Sequence, residues 1–261
     1  MRSSSDGCAK VKGSKHHSSL LHRARYLSLR DTNKATTLME ENPMIESQGR
    51  ARVTMFLALL ALVGIAVKFL NVAALHFLRR DANPVSEPIS NYAAGPYGFL
   101  MTVAVIGSGL ASLALAVGLY FGIAPPGRSH VGLFLLGLYG VSELLGGIFP
   151  IDDGGEATTA GTIHNIVGNI AFFCFPIAAI LLSLRMGKDE RWQSFRRPAL
   201  ALSIVVVLTV ILTIAGSTFG IGFGVTQRVA NVAVLVWMLA VALHLRSVAQ
   251  GALAQQSSRA S

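Results

Sequence analysis

Two charged residues lie inside stretches that are otherwise apolar. Lys68 falls in a run that ends at residue 78, and Glu143 falls in a run that ends at residue 149. A charge at the centre of a bilayer costs about 2.5–3.5 kcal/mol on insertion scales, so each side chain needs a partner or a cavity. We therefore predict that Lys68 and Glu143 form an ion pair in the floor of a polar cavity.

Other polar side chains fall at a similar depth. At a rise of 1.5 Å per residue, Lys68 lies about 15 Å and Glu143 about 9 Å from the outer ends of their runs. The same half of the bilayer receives Asn71, His76, His164, Asn165, Asn169, Arg228 and Asn231. This asymmetry predicts a cavity that opens toward the external face. The candidate ligand contacts are Lys68, Glu143, His164, Asn165, Asn169, Ser90 and Asn91.

These polar residues also have a structural interpretation. A buried Lys–Glu pair can fix helix register, and asparagines in membrane helices commonly form hydrogen bonds between helices. For His76 and His164, a hydrogen-bonded histidine at the membrane interface is the alternative to a ligand role. Nucleophilic catalysis by Ser90 with His164 is disfavoured, because Ser90 lies in a proline-flanked loop without a strand-to-helix elbow.

A metal site outside the membrane is a separate hypothesis. The connection 150–162 contains three carboxylates, and one imidazole follows it. The residues are Asp152, Asp153, Glu156 and His164. Such ligands suit a divalent ion that could activate water in a hydrolase or transferase, although carboxylates in an external loop are more often solvated charge. Axial haem ligation by His76 and His164 is a weaker alternative, and covalent haem attachment is excluded because the sequence has no Cys-x-x-Cys-His. We predict no cofactor.

Six apolar runs must position these groups. They cover residues 53–78, 97–123, 131–149, 163–184, 199–216 and 229–245, and each is near the length of about 20 residues that crosses a bilayer as a helix. Of all residues, 52% are hydrophobic and 13% are charged, and the mean hydropathy is +0.55. These values exclude an ordinary soluble domain. The predicted fold is all-α, a polytopic bundle of six transmembrane helices within residues 53–246.

The basic residues predict the orientation of the bundle. Ten of the 22 Lys and Arg residues precede residue 53, and five more lie between residues 185 and 197. Basic segments stay on the cytoplasmic side, so we expect both termini to be cytoplasmic and the acidic connection 150–162 to be external. Residues 1–52 are predicted to be a disordered basic tail, or in part a misassigned start, and residues 247–261 a short tail. A surface-bound amphipathic helix and an import segment remain alternatives for the first tail.

The expected partners are membrane lipids. The net charge is +9, but no basic patch interleaved with aromatic residues appears, so nucleic acid is not expected. Small residues at helical spacing permit close helix contacts, and a homo-oligomer stays open.

Two sequence blocks resemble a known family. Residues 88–98 (PISNYAAGPYG) and the pair 147–152 (GIFPID) and 161–164 (GTIH) are similar to motifs of the prokaryotic membrane family catalogued as domain of unknown function 998. Ile151 and Asn165 stand where that family commonly has Thr and Gly. The resemblance implies the six-helix architecture and a multi-pass location in the cell membrane, namely a prokaryotic inner membrane, but no activity. A fainter likeness is to the Frag1, DRAM and Sfk1 membrane proteins, which are linked to lipid organisation.

These observations favour one function over another. The leading hypothesis is a protein that binds, moves or organises a lipid or small amphiphile through the outward-facing polar cavity. The alternative is a metal-dependent membrane hydrolase or transferase with an external Asp/His site. Whether the protein is an enzyme stays open at this point.

Overall fold

The structure is a bundle of six long helices. A computed structural model of the chain describes residues 47–152, 154–220 and 222–260, and these residues form helices and connecting loops without a strand. The helices are α1 Ser47–Leu78, α2 Gly98–Gly122, α3 His130–Ile148, α4 Thr159–Met186, the short α5 Glu190–Gln193, α6 Arg196–Phe219 and α7 Phe223–Ala260. All except α5 are long and apolar enough to cross a membrane, which confirms the predicted six spans.

Several helices extend beyond the apolar runs. Helix α1 begins at Ser47, so residues 47–52 are helical although the sequence assigned them to the tail. Helix α7 has 38 residues and is therefore about 57 Å long, well beyond the hydrocarbon thickness of about 30 Å. The predicted tail 247–261 is thus helical as far as Ala260. The predictions for residues 1–46 lie outside the described residues.

Glycines bring α1, α2 and α3 into close contact. A Cβ atom on Gly64 of α1 would overlap the Gly107 carbonyl of α2, and one on Gly109 would lie 2.8 Å from the Gly140 carbonyl of α3. Lipid tails solvate leucine as well as another helix does, so close backbone packing is a main source of helix association in a membrane. Helix α2 is therefore held between α1 and α3 with almost no space on either side.

Two arginines fold the long connection between α1 and α2. Arg79 donates from Nε and Nη2 to the Asp81 carboxylate, at 3.0 and 2.8 Å, and from Nη1 to the carbonyl of Ala94. Arg228 of α7 donates from Nη1 to the Glu87 carbonyl at 2.8 Å. The connection is consequently fastened to the bundle. Its end of the bundle, which also carries residues 149–152 and 154–158, is called the outer end below, after the predicted orientation.

The opposite, inner end is closed by contacts around α5. Asp189 accepts a hydrogen bond from the Ala124 N–H at 2.7 Å, and Arg191 and Trp192 donate to the Gly122 carbonyl at 3.1 and 3.3 Å. Trp192 is fully buried. These bonds satisfy backbone groups at the end of α2 that have no partner within the helix, and they fix α5 against the end of α2.

The glycine contact between α2 and α3 can be tested with one added methyl group. We expect Gly109→Ala to lower the free energy of unfolding by about 1–3 kcal/mol, because overpacking forces the backbones apart. The measurement is thermal unfolding in detergent micelles. Gly137→Ala on α3 is the matched control, since a Cβ there meets no atom within 4 Å. Equal melting temperatures for the two variants would contradict the contact.

The buried carboxylate at the inner end predicts a pH dependence. Burial acts to raise the pKa of Asp189, but hydrogen bonds from the Arg191 side chain and from the backbone N–H groups of Ala124 and Arg191 outweigh it and hold the pKa below 3.8. A lowered pKa stabilises the fold above the unfolded-state value, and this contribution disappears as the pH falls through the folded-state value.

We therefore expect Asp189→Asn to melt below the wild type at about pH 7, with the difference shrinking below about pH 4. Melting curves across this range measure it. Glu156→Gln, at an exposed position, controls for the loss of one negative charge. A difference between Asp189→Asn and wild type that does not change with pH would mean that the carboxylate charge is not what matters.

Candidate functional site

The predicted ion pair is present. Lys68 Nζ of α1 donates to Glu143 Oε2 of α3 at 2.5 Å and to Ser108 Oγ of α2 at 3.2 Å. The side chain of Lys68 is 3% exposed and that of Glu143 is 15% exposed. The lysine is thus enclosed, while the carboxylate keeps a small accessible face. The glycine contacts of α2 allow this pairing, because Gly64 and Gly140 each lie about one turn from the charged residue on their own helix.

The Glu143 carboxylate borders a cavity of about 140 Å³. The Tyr139 hydroxyl interacts with Lys68 and Ser108 beside it. The polar residues that line the cavity are Lys68, Ser90, Tyr139, Ser142, Glu143, His164, Gln227 and Asn231. Its apolar lining includes Met101, Val105, Phe172, Phe175, Val210 and Val234. This cavity, called the inner chamber below, therefore has both charged and hydrophobic walls.

Aromatic rings close the inner chamber toward the inner end. Phe175 packs edge-on against Tyr139, with ring centroids 4.7 Å apart, and against Trp237 at 5.5 Å. Below them, Trp237 Nε1 donates to Ser203 Oγ at 2.9 Å, and Ser203 pairs with Ser183 at 2.9 Å. The inner half of the bundle therefore contains a neutral hydroxyl and indole network, which sequence reasoning did not predict.

His164 lies in the wall of the inner chamber. Its Nδ1 lies 2.9 Å from the Phe149 carbonyl and 3.3 Å from the Gly146 carbonyl. Carbonyl oxygens only accept hydrogen bonds, so Nδ1 carries a proton and donates to them. The ring is held by the end of α3 through Nδ1, which leaves Nε2 for other groups.

A larger cavity of about 420 Å³ continues to the outer end. It shares Ser90, His164, Gly168, Phe172 and Gln227 with the inner chamber, so the two adjoin at these residues. We call it the outer chamber. Asn165 and Asn169 line it. A Cβ atom on Gly168 would meet no atom within 4 Å, so there is open space beside this residue, where the two chambers adjoin.

The structure brings most candidate contacts to these chambers. Lys68, Glu143, His164 and Ser90 line the inner chamber, and Asn165 and Asn169 line the outer one. Asn91 lines neither chamber. Sequence reasoning missed Ser108, Tyr139 and Gln227. Gln227 accepts a hydrogen bond from the Ile89 N–H at 2.7 Å and so ties the connection between α1 and α2 to the chamber wall. In the sequence, only the position of Gln227 directly before Arg228 indicated that it could lie near the other polar residues.

The expected hydrogen bonds of asparagine between helices are absent for three side chains. Asn71, Asn169 and Asn231 each donate to the carbonyl four residues earlier on their own helix, at 2.8, 2.8 and 3.3 Å. The prediction is wrong for these donors, because a carbonyl of the preceding turn is close enough to satisfy the amide locally. Their carbonyl oxygens are not used in these bonds.

The residues proposed for a metal site have other contacts. Asp152 accepts from the Thr158 hydroxyl at 2.5 Å and from its N–H at 3.2 Å, and Thr158 caps α4. Over residues 47–152, 154–220 and 222–260, no group of three His, Cys, Asp or Glu side chains could hold a metal ion. Asp153 lies outside the described residues. His164 and Glu156 stay candidates only in combination with it.

The two histidines considered as haem ligands do not share a cavity. His76 Nδ1 lies 2.7 Å from the Val72 carbonyl, and Arg228 donates to His76 Nε2 at 3.0 Å. Both ring nitrogens of His76 are therefore engaged within the protein. His76 does not line either chamber, whereas His164 lines both. This arrangement does not favour axial ligation by the pair.

A helical bundle with six apolar helices and a charged pair in its interior defines a polytopic membrane protein. Residues 50–244 match the family described as protein of unknown function DUF998. The chain belongs to that family, as the motifs at 88–98 and 147–164 indicated. No curated protein and no solved structure matches the chain.

The ion pair predicts a specific pattern of stability. We expect Lys68→Met and Glu143→Leu each to lower the free energy of unfolding by about 3 kcal/mol, because each leaves one buried charge without its partner. The double variant should recover most of this loss, since two apolar side chains replace both charges. Unfolding of the wild type and the three variants in detergent gives the coupling energy. Losses that simply add in the double variant would contradict the pairing.

Proposed function

We propose that the protein binds, moves or organises a lipid or small amphiphile, and that it does so in the cell membrane of a prokaryote. The observation that supports the proposal is the pair of adjoining chambers. The inner chamber is lined by Lys68 and Glu143, the outer chamber lies toward the outer end of the bundle, and His164 lines both.

The walls of the chambers match the two parts of an amphiphile. Ligand cavities are typically apolar with a few placed polar groups that fix the orientation of the ligand. Here, Glu143 supplies acceptor oxygens and His164 and Gln227 add further polar atoms, while Phe172 and Phe175 supply hydrophobic surface. A polar head would be oriented by the polar atoms, and its hydrocarbon part would contact the aromatic and aliphatic walls.

The position of the chambers also favours a ligand from the membrane. Phe172 lines both chambers, and its neighbour Phe173 lines the outer chamber although its side chain is 57% exposed at the bundle surface. A membrane-dissolved molecule could therefore reach the outer chamber from the bilayer. A strictly water-soluble solute would gain no binding energy from contact with these apolar walls.

Filling the space beside Gly168, which lines both chambers, tests the proposal. We expect wild-type protein, purified in mild detergent, to carry an amphiphile that native mass spectrometry detects. Gly168→Leu should reduce the occupied fraction at least about tenfold, a loss of about 1.4 kcal/mol in binding, because the new side chain fills space that the ligand needs.

Gly137→Leu is the matched control, since Gly137 also lies in a helix and its Cβ would also meet no atom within 4 Å, but it lines neither chamber. A wild-type preparation without any bound amphiphile would argue strongly against the proposal. Equal occupancy in Gly168→Leu and Gly137→Leu would place the bound molecule elsewhere on the protein.

A further inference from the structure

An apolar groove runs along the surface of the bundle between α4 and α6. It has a volume of about 330 Å³ and is lined by Phe172, Phe173, Pro176, Ile177, Ile180, Leu181, Val207, Val210, Ile211 and Ile214. On α4 it extends from residue 172 to residue 181, a distance of about 13 Å along the helix. Its walls carry no polar side chain. The dimensions and the lining suit an alkyl chain.

The groove adjoins both chambers. Phe172, Pro176 and Val210 line the groove and the inner chamber, while Phe172, Phe173 and Ile214 line the groove and the outer chamber. Proline has no N–H, so Pro176 leaves the Phe172 carbonyl without its usual helical donor. A polar acceptor and an apolar groove therefore meet at the edge of the chambers.

The charges around the chambers sum to zero. Of the side chains that line them, Lys68 and Glu143 are the formally charged ones, and they neutralise each other at 2.5 Å. The remaining polar lining consists of hydroxyl, amide and imidazole groups. An anionic head would bring a charge into a cavity whose one cationic lining residue, Lys68, is already paired, which is unfavourable. A head with hydroxyl groups could donate to the Glu143 carboxylate without adding a charge.

We infer that the ligand is a neutral amphiphile with a hydroxyl-bearing head in the chambers and an alkyl chain in the groove between α4 and α6. This inference rests on the proposed function and specifies the ligand class and the side of the bundle through which the ligand leaves toward the bilayer. A groove between α1 and α7, which Arg228 lines, shares Lys68, Ile89 and Asn231 with the inner chamber but no residue with the outer chamber. The alkyl chain is therefore assigned to the groove between α4 and α6, which adjoins both chambers.

Two lipids that share an oleoyl chain but differ in the charge of the head group test the contribution of the head group alone. Delipidated protein in detergent is titrated with monooleoylglycerol or with oleoyl lysophosphatidylglycerol, and the bound fraction is read by native mass spectrometry. We expect the neutral lipid to bind at least about tenfold more tightly than the anionic one. Anionic lipid that binds equally well or better would overturn the neutral head.

Two substitutions on α6 test the groove. Ile211 lines the groove and is 56% exposed, whereas Leu208 lies outside it and is 59% exposed. Ile211→Trp should weaken monooleoylglycerol binding at least about tenfold, and Leu208→Trp should leave it unchanged. Both side chains face away from the core, so both variants should fold, which monodisperse elution and an unchanged melting temperature check.

The outcomes distinguish this inference from the proposed function. If Gly168→Leu reduces binding of monooleoylglycerol but Ile211→Trp does not, the chain does not lie in the groove, and the chambers still bind an amphiphile. If neither lipid binds the wild type although the purified wild type carries an amphiphile, the inference fails and the proposed function stands. If the purified wild type also carries no amphiphile, both fail. Binding that is lost in Ile211→Trp and Gly168→Leu, but kept in Leu208→Trp and Gly137→Leu, supports both.

Discussion

The pairing of one lysine with one glutamate is the constraint on which the interior of this protein depends. Neither charge is tolerated alone in hydrocarbon, so α1 and α3 must approach across α2 until Lys68 and Glu143 meet. This approach requires that α2 be narrow, and glycines at its contacts make it so. The chamber then forms where α4, α6 and α7 complete the ring around the pair. Electrostatics thus selects the packing, and the packing shapes the cavity.

The elements of the fold could be predicted from the sequence, because water excludes apolar runs of this length without regard to tertiary detail. The Lys68–Glu143 pair could be predicted as well, since two opposite charges in one half of a bilayer have few other partners. The boundaries were less predictable. Helix α7 continues to Ala260, and hydropathy cannot show this because a helix outside the membrane needs no apolar residues.

The contacts that depend on side-chain direction could not be predicted from the sequence. Arg79 and Arg228 bind backbone carbonyls of the connection between α1 and α2, and these partners are distant in the sequence. Ser108 lies between two glycines, and its hydroxyl accepts from Lys68 of another helix. The asparagines bind their own helices instead of neighbouring ones. In each case the choice between two hydrogen-bonding partners depends on distances that only the folded chain sets.

The glycine contacts of α2 also limit how this chain can diverge. Gly109 and Gly140 face each other so closely that a larger residue at one position cannot be accommodated by a change at the other, because the nearest opposing atoms include a backbone carbonyl. A lineage that enlarges either position would separate α2 from α3 and strain the span from lysine to carboxylate. A larger residue at Gly109 or Gly140 should therefore accompany the loss of both Lys68 and Glu143. The four positions should change together during evolution.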